Sequence, residues 1–405
     1  MKGRIFINSY IVTDYGVTPD AEYFQTDKIQ SVLDLCRDSG GKVIIPRGNY
    51  RVSSLRLWSD TTLYLSSGAR LEASEVCEDY EVYPIPDGME LHTDMEMITQ
   101  YYENRPWPEY RRAIISVYGG KNISIIGEPD SHIDGMNCAD PHGEEGYRGP
   151  HGIFMTNVDG VTLDGYSIEN CGNFMHQIDT CRNITMRNVS CVGGSDGVHL
   201  HCCSDILIED CRFITGDDCI AGINMENLTV RDCELNTSCD LFRAGGSHIL
   251  IENCHMWGPG VYPHRMTIVP DRHTDSVRDR SRDLAQSAGR HNLESVWIHF
   301  ASTNHPSPEP YHDITIRNCT IDNADRFLNY HADEGTLQSG AHLCEMTLEN
   351  VTFTNLKYTS SVAASPTEPL RVTLRNVSVN PNGSVEKVKL FPDGDTNTII
   401  DESEN

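Results

Sequence analysis

One heptapeptide recurs along the chain at a nearly fixed interval. NITMRNV starts at Asn183, DILIEDC at Asp205, NLTVRDC at Asn227 and HILIENC at His248, so successive starts lie 22, 22 and 21 residues apart. Further copies begin at Asn122, Gly160, Asp313, Glu345 and Arg371, with wider spacings where insertions intervene. Each copy alternates apolar and polar side chains and closes near Asn, Asp or Gly, the pattern of a short half-buried strand followed by a turn. A single such strand cannot bury its apolar face, whereas stacked copies bury it jointly. The repeat therefore predicts an all-β solenoid, a parallel β-helix. A leucine-rich repeat has a similar length but needs an L-x-x-L-x-L frame, which is absent.

The cysteines keep the same register. Cys181 and Cys203 lie 22 apart, and Cys211, Cys233 and Cys254 lie 22 and 21 apart. Cys202 and Cys203 near His199 and His201 invite a metal reading, but zinc ligands come as closely spaced C-x2-4-C pairs. Small polarizable thiols stacked in a dry core explain a coil-length spacing better, and no metal site is expected. The column Asn188, Asp210, Asp232, Asn253 and Asn318 reads as a turn ladder, each side chain bonding its own or the next coil's backbone.

A solenoid grows without splitting, so the 405 residues are read as a single domain, 1–405. Residues 1–75 form an N-terminal cap and first coils, with a helix over Thr26 to Arg37 whose stripe is Ile29, Val32, Leu33 and Cys36. Such a helix protects the open end of the solenoid from edge pairing. Residues 75–111 and 267–310 break the period and are expected to line a cleft, and 380–405 form a polar, acidic tail. A net charge of −27 argues against nucleic acid or an anionic membrane as partner, and suits a polyanionic substrate only if basic residues collect locally. The start, MKGRIFINSYIVTDYG, lacks a signal-peptide pattern, and fifteen cysteines suggest free thiols in a reducing compartment; a cytoplasmic location is expected.

The same interval bears on chemistry. Asp196 lies 21 and 22 residues before Asp217 and Asp218, so the three carboxyl groups are expected to meet on adjacent coils. Crowded acids separate their titrations, one pKa rising while a hydrogen-bonded partner stays ionised, and an inverting glycosidase needs such a protonated and ionised pair about 6.5–9.5 Å apart. Consecutive strand residues face opposite sides, so Asp217 and Asp218 share a cleft only where the strand bends. Gly216 supplies a place for that bend.

The order DYG, GGKVIIPRGNYRVSSLRL, GARLEAS, AIISVYGGKNISIIG with HIDG, SDG and then TGDDCIA resembles glycoside hydrolase family 28, the polygalacturonases, over roughly residues 10 to 270. The resemblance implies a right-handed parallel β-helix, inverting hydrolysis of a pectin-type oligosaccharide, and no metal or organic cofactor. Carried over residue by residue, Asp217 matches the proton donor, and Asp196 and Asp218 match the pair that activates water. Three departures stand out. The family's N-T-D-G is Gly194-Ser195-Asp196-Gly197, its Gly-His-Gly becomes the stretch Ser238 to Arg243, and its R-I-K falls near His264-Arg265-Met266. His199, His201 or His264 is then the candidate for the missing histidine, and Arg265 and Arg243 are candidates for binding a substrate carboxylate. His176, one coil before Asp196, is a candidate to line the cleft with Phe174. Trp257, Tyr262, Trp297, Tyr330 and His331 are candidates to stack on sugar rings. Walling of the cleft by the insertions favours exo action. Two other classes fit the same residues: a β-helix lyase with Ca2+ held by Asp196, Asp217 and Asp218, and a non-catalytic glycan-binding solenoid.

Overall fold

The computed structural model describes residues 8–89, 91, 108–265, 289–335, 337–380, 388–392 and 397–402. Each coil carries three short strands, exemplified by Ser204–Glu209, Arg212–Thr215 and Ile220–Arg231, the last running on round the corner into the next coil. Every strand-to-strand ladder is parallel, and the ladders join the first rung, Ser9–Ile11 on Gly41–Ile45, through to the last, Leu370–Val379 on Asn397–Asp401. The heptapeptides stack in register: Ile184 on Ile206, Ile206 on Leu228, Leu228 on Ile249 and Ile249 on Ile314. Period-two alternation sends these side chains inward, and they belong to one apolar core that also takes in Ile29, Val32, Leu33 and Cys36. The N-terminal helix spans Thr26–Leu33 and tightens into a 3-10 turn over Asp34–Cys36.

The turn column takes a different form from that expected. Asn188, Asp210, Asp232, Asn253 and Asn318 all have positive φ, between 53° and 56°, the left-handed conformation that Asn and Asp tolerate best. At two of the five the side chain meets a neighbouring side chain: Asn188 donates to Asp164 Oδ1 at 3.0 Å and Asn318 Oδ1 accepts from Asn350 at 3.0 Å. None of the fifteen cysteines is joined in a disulfide. Those of the column donate to the carbonyl two residues back, as from Cys211 to Glu209 and Cys233 to Arg231. Of the irregular segments, 90, 92–107 and 266–288 lie outside the described residues, as does much of the tail beyond Asn380.

Candidate active site

The acids sit on bends between strands, which removes the difficulty of consecutive residues facing apart. Strand Ser190–Gly193 ends and Val198–His201 begins around Gly194-Ser195-Asp196-Gly197. One coil on, Arg212–Thr215 ends and Ile220 resumes around Gly216-Asp217-Asp218-Cys219. Gly193 stands on Thr215 and Val198 on Ile220, so the bends are superposed and Asp196 stacks over Asp218. The bend needs its glycines. A Cβ on Gly216 would run into the Pro263 carbonyl oxygen and lie 2.9 Å from Gly194 Cα. Ile220 pairs with Phe242 in turn, which places Asp240 below Asp218 as a third rung of carboxylates.

All four acids are buried, Asp196 and Asp218 to 1 % exposure. Arg148 enters from the loop between His132–Asp134 and His151–Asp164. Its Nη2 is 2.5 Å from Asp217 Oδ2, its Nη1 is 3.3 Å from Asp196 Oδ1, and its Nε is 2.8 Å from Glu145. Phe174 lies beneath the guanidinium, 5.1 Å from its carbon, and stacks on the other side of the site against His199 at 3.8 Å. His199 Nε2 is 2.7 Å from Asp196 Oδ2 and His264 Nε2 is 3.5 Å from Asp217 Oδ1. Arg243 approaches Asp218 at 3.7 Å over the Phe300 ring and keeps a quarter of its side chain exposed.

These neighbours split the acids electrostatically. Burial alone raises every carboxyl pKa. For Asp217 the charges of His264 and Arg148 outweigh it and hold the group well below the usual range. His264 is the mirror case: burial lowers its pKa, but the Asp217 charge and hydrogen bond leave it raised. Asp218 has neither carboxylate oxygen hydrogen-bonded, and burial followed by the Asp217 and Asp196 charges pushes it far up. Asp196 rises to about 8 through burial and the Asp217 charge, and Asp240 to about 7 through burial and Glu294. In the ligand-free chain the surroundings therefore favour the anion at Asp217 and the protonated form at Asp218.

The candidate residues divide accordingly. Asp196, Asp217, Asp218, His199, His264 and Arg243 converge, with His201 directly behind His199. Arg265 borders the site but points away from it: its guanidinium is buried on the carbonyls of Cys171 and Gly172 and the side chain of Asn137, and burial lowers its pKa. It is a brace for the bend, since a Cβ on Gly194 would collide with it. His176 is not in the cleft. It pairs in register with Ile153 and Val198 on the inward face, bonded to Tyr166 and the Gly197 carbonyl, and burial lowers its pKa to about 4. Trp297, stacked on Phe242, and Tyr330 are fully buried core residues. The sequence reading missed Arg148, which sits in an irregular loop with no repeat to mark it. It also missed Asp240, although the 22-residue step from Asp218 was visible.

Among the described residues three sets of donor atoms lie within 4.8 Å of one another around the acids: Asp196, His199 and Asp218; Asp217, Cys239 and His264; and Asp218, Cys239 and Asp240. The arginines already contact all three acids that the alternative lyase reading assigns to calcium, so their charge is largely met by guanidinium groups.

Residues 111–258 match the family described as the right-handed β-helix region. The chain is 24 % identical over 236 residues to a probable polygalacturonase of Vitis vinifera, covering 53 % of this chain and 44 % of that one. It is 28 % identical over 162 residues to an exo-poly-α-D-galacturonosidase of Dickeya chrysanthemi, covering 39 % of this chain and 25 % of the relative. The chain thus spans less than half the length of these relatives. Its fold superposes on that of an exopolygalacturonase from Thermotoga maritima with a TM-score of 0.67 at 15 % identity, over 92 % of this chain and 88 % of the other. The chain is a right-handed parallel β-helix protein that is similar over part of its length to polygalacturonases.

Proposed function

We propose that the chain is a glycoside hydrolase that cleaves a pectin-type, galacturonate-containing oligosaccharide with inversion and from the chain end. The observation that supports this most is the superposition of the two bends, which gathers Asp196, Asp217 and Asp218 at one buried point. Asp196 and Asp218, stacked on adjacent coils, hold and deprotonate the water. Asp217 faces the departing oxygen. As the C1–O bond breaks, its electron pair stays on that oxygen and takes the proton from the donor, while the water oxygen bonds to C1 from the opposite face and the water gives its proton to the opposite carboxylate. Despite the charge of −27, Arg148, Arg243, Arg290 and His264 collect around the acids, which favours an anionic sugar. Exo action is supported by the relatives named for it, and a reducing compartment by fifteen cysteines of which none is joined in a disulfide.

Reducing-end release across pectic and other plant oligosaccharides tests the reading. The parent releases ends from oligogalacturonate and Asp217→Asn does not; equal rates for the two would overturn the acid assignment. The ligand-free charges favour a second assignment, with Asp218 as donor. An activated aryl glycoside separates them, because only the variant lacking the donor keeps substantial activity on a leaving group that needs no proton.

A further inference from the structure

Behind Asp196 runs a row of buried polar groups. Asp179 ends the strand His176–Asp179, which pairs with Val198–His201 so that Gln177 stands beside His199 and Asp179 beside His201. His201 Nδ1 is 3.6 Å from Asp179 Oδ1, His201 Nε2 is 3.3 Å from His199 Nδ1, and His199 Nε2 is 2.7 Å from Asp196 Oδ2. None of the four is more than 1 % exposed. Gln177 donates to Asp179 Oδ1 at 2.5 Å, Phe174 lies flat on His199 with the ring planes 10° apart, and Phe300 meets His201 edge-on. The hydrolysis outlined above uses neither Asp179 nor His201. Burying such a row is less stabilising than apolar packing of the same volume.

The protons in the row are interdependent. Each imidazole contact needs one N–H on one side only. The Asp179 carboxylate, 3.6 Å from His201 Nδ1, favours the His201 imidazolium by its charge, with one N–H on the side of Asp179 and the other pointing at His199 Nδ1. This leaves His199 with its proton on Nε2, aimed at Asp196. If Asp179 carried no charge, His201 would be neutral and free to present a bare Nε2, so His199 would protonate on Nδ1 and turn a lone pair toward Asp196.

Resting on the hydrolase reading, we propose that Asp179 and His201 are positioning residues that fix His199 as the Nε2–H tautomer, so that Asp196 Oδ2 always receives a hydrogen bond while Oδ1, beside Arg148, is turned to the water. Other groups face the same atoms. Arg148 and Glu145 reach Asp196 from the loop, Asp217 and Asp218 from the next bend and Arg243 from two coils on, and His151 faces His199 from two coils back. None of these changes when the far end of the row is altered.

The test is Asp179→Asn, which keeps the shape and removes the charge, with His201→Gln as a second variant. Long-range 1H–15N spectra of the imidazoles in the whole chain should show His199 as the Nε2–H form in the parent and as a mixed or Nδ1–H form in both variants. On oligogalacturonate, kcat should fall about tenfold or more with KM held within about twofold. The acid limb of the rate profile should move to higher pH, because Asp196 loses a donor to its anion. An unchanged His199 tautomer would overturn the proposal. So would a drop in melting temperature with kcat and the acid limb untouched. A parent chain that cleaves no glycoside sinks the hydrolase reading instead, and the spectra still decide the role of the row.

Discussion

At the scale of single residues, the site is organised by which carboxyl group receives a cation. Asp217 has Arg148 and His264; Asp218, one residue on, has no hydrogen-bond donor and only a distant arginine. A buried acid without donors is held at the expense of stability. Asp218→Asn should therefore abolish hydrolysis yet stabilise the fold by about 0.5–2 kcal/mol at pH 7, measured by urea unfolding; a destabilised variant would show that the Asp218 environment has been misread. Arg148→Met removes the charge that keeps Asp217 ionised. The Asp217 pKa should rise, and because a proton donor works only below its pKa, the basic limb of kcat/KM should move to higher pH in initial-rate measurements. The interval of the repeat made Asp196, Asp217 and Asp218 legible together, and the same interval reaches Asp240. Nothing in the sequence marked Arg148, since a residue in an irregular loop has no register from which its position can be read.

At the scale of elements, the bend is the unit that matters. Strands supply the parallel ladders, but the acids, the glycines and the Arg265 brace all belong to the points where one strand stops before the next begins. Gly216→Ala tests this, because its methyl would press on the Pro263 carbonyl and on Gly194 of the bend above. It should cost about 1–3 kcal/mol and reduce activity beyond what the loss of folded chain explains, read by comparing specific activity with the folded fraction from circular dichroism. The left-handed Asn and Asp residues were visible in the sequence as a turn column. The side-chain bonds between coils, as from Asn188 to Asp164 and from Asn350 to Asn318, were not, because they depend on the distance between coils.

At the scale of the whole molecule, the acids and the net charge act on the same equilibrium. Asp196 and Asp240 have folded-state pKa values near 8 and 7, raised first of all by burial. Between the unfolded value near 3.8 and these, the folded chain binds more protons than the unfolded one, so stability is greatest on the acid side of this window and falls as pH rises through it. Above the ordinary histidine value, where the buried, low-pKa His151, His176 and His299 no longer oppose the trend, calorimetric melting temperatures should decline from about pH 6.5 to pH 8, and Asp196→Asn should flatten the slope. A charge of −27 adds self-repulsion that salt screens, so the melting temperature at pH 8 should rise with sodium chloride.

The chain's own pattern determined the solenoid, its register, the thiol columns and the meeting of three acids, because in a coil of constant length position along the sequence converts directly into position in space. The tertiary structure decided the rest. It turned His176 into the core by strand alternation and committed Arg265 to backbone carbonyls. It brought Arg148 in from a loop to ionise Asp217, and it lined up Asp179, His201 and His199 behind Asp196. Burial and charge pairing depend on which surfaces close over a group, and no repeat encodes that.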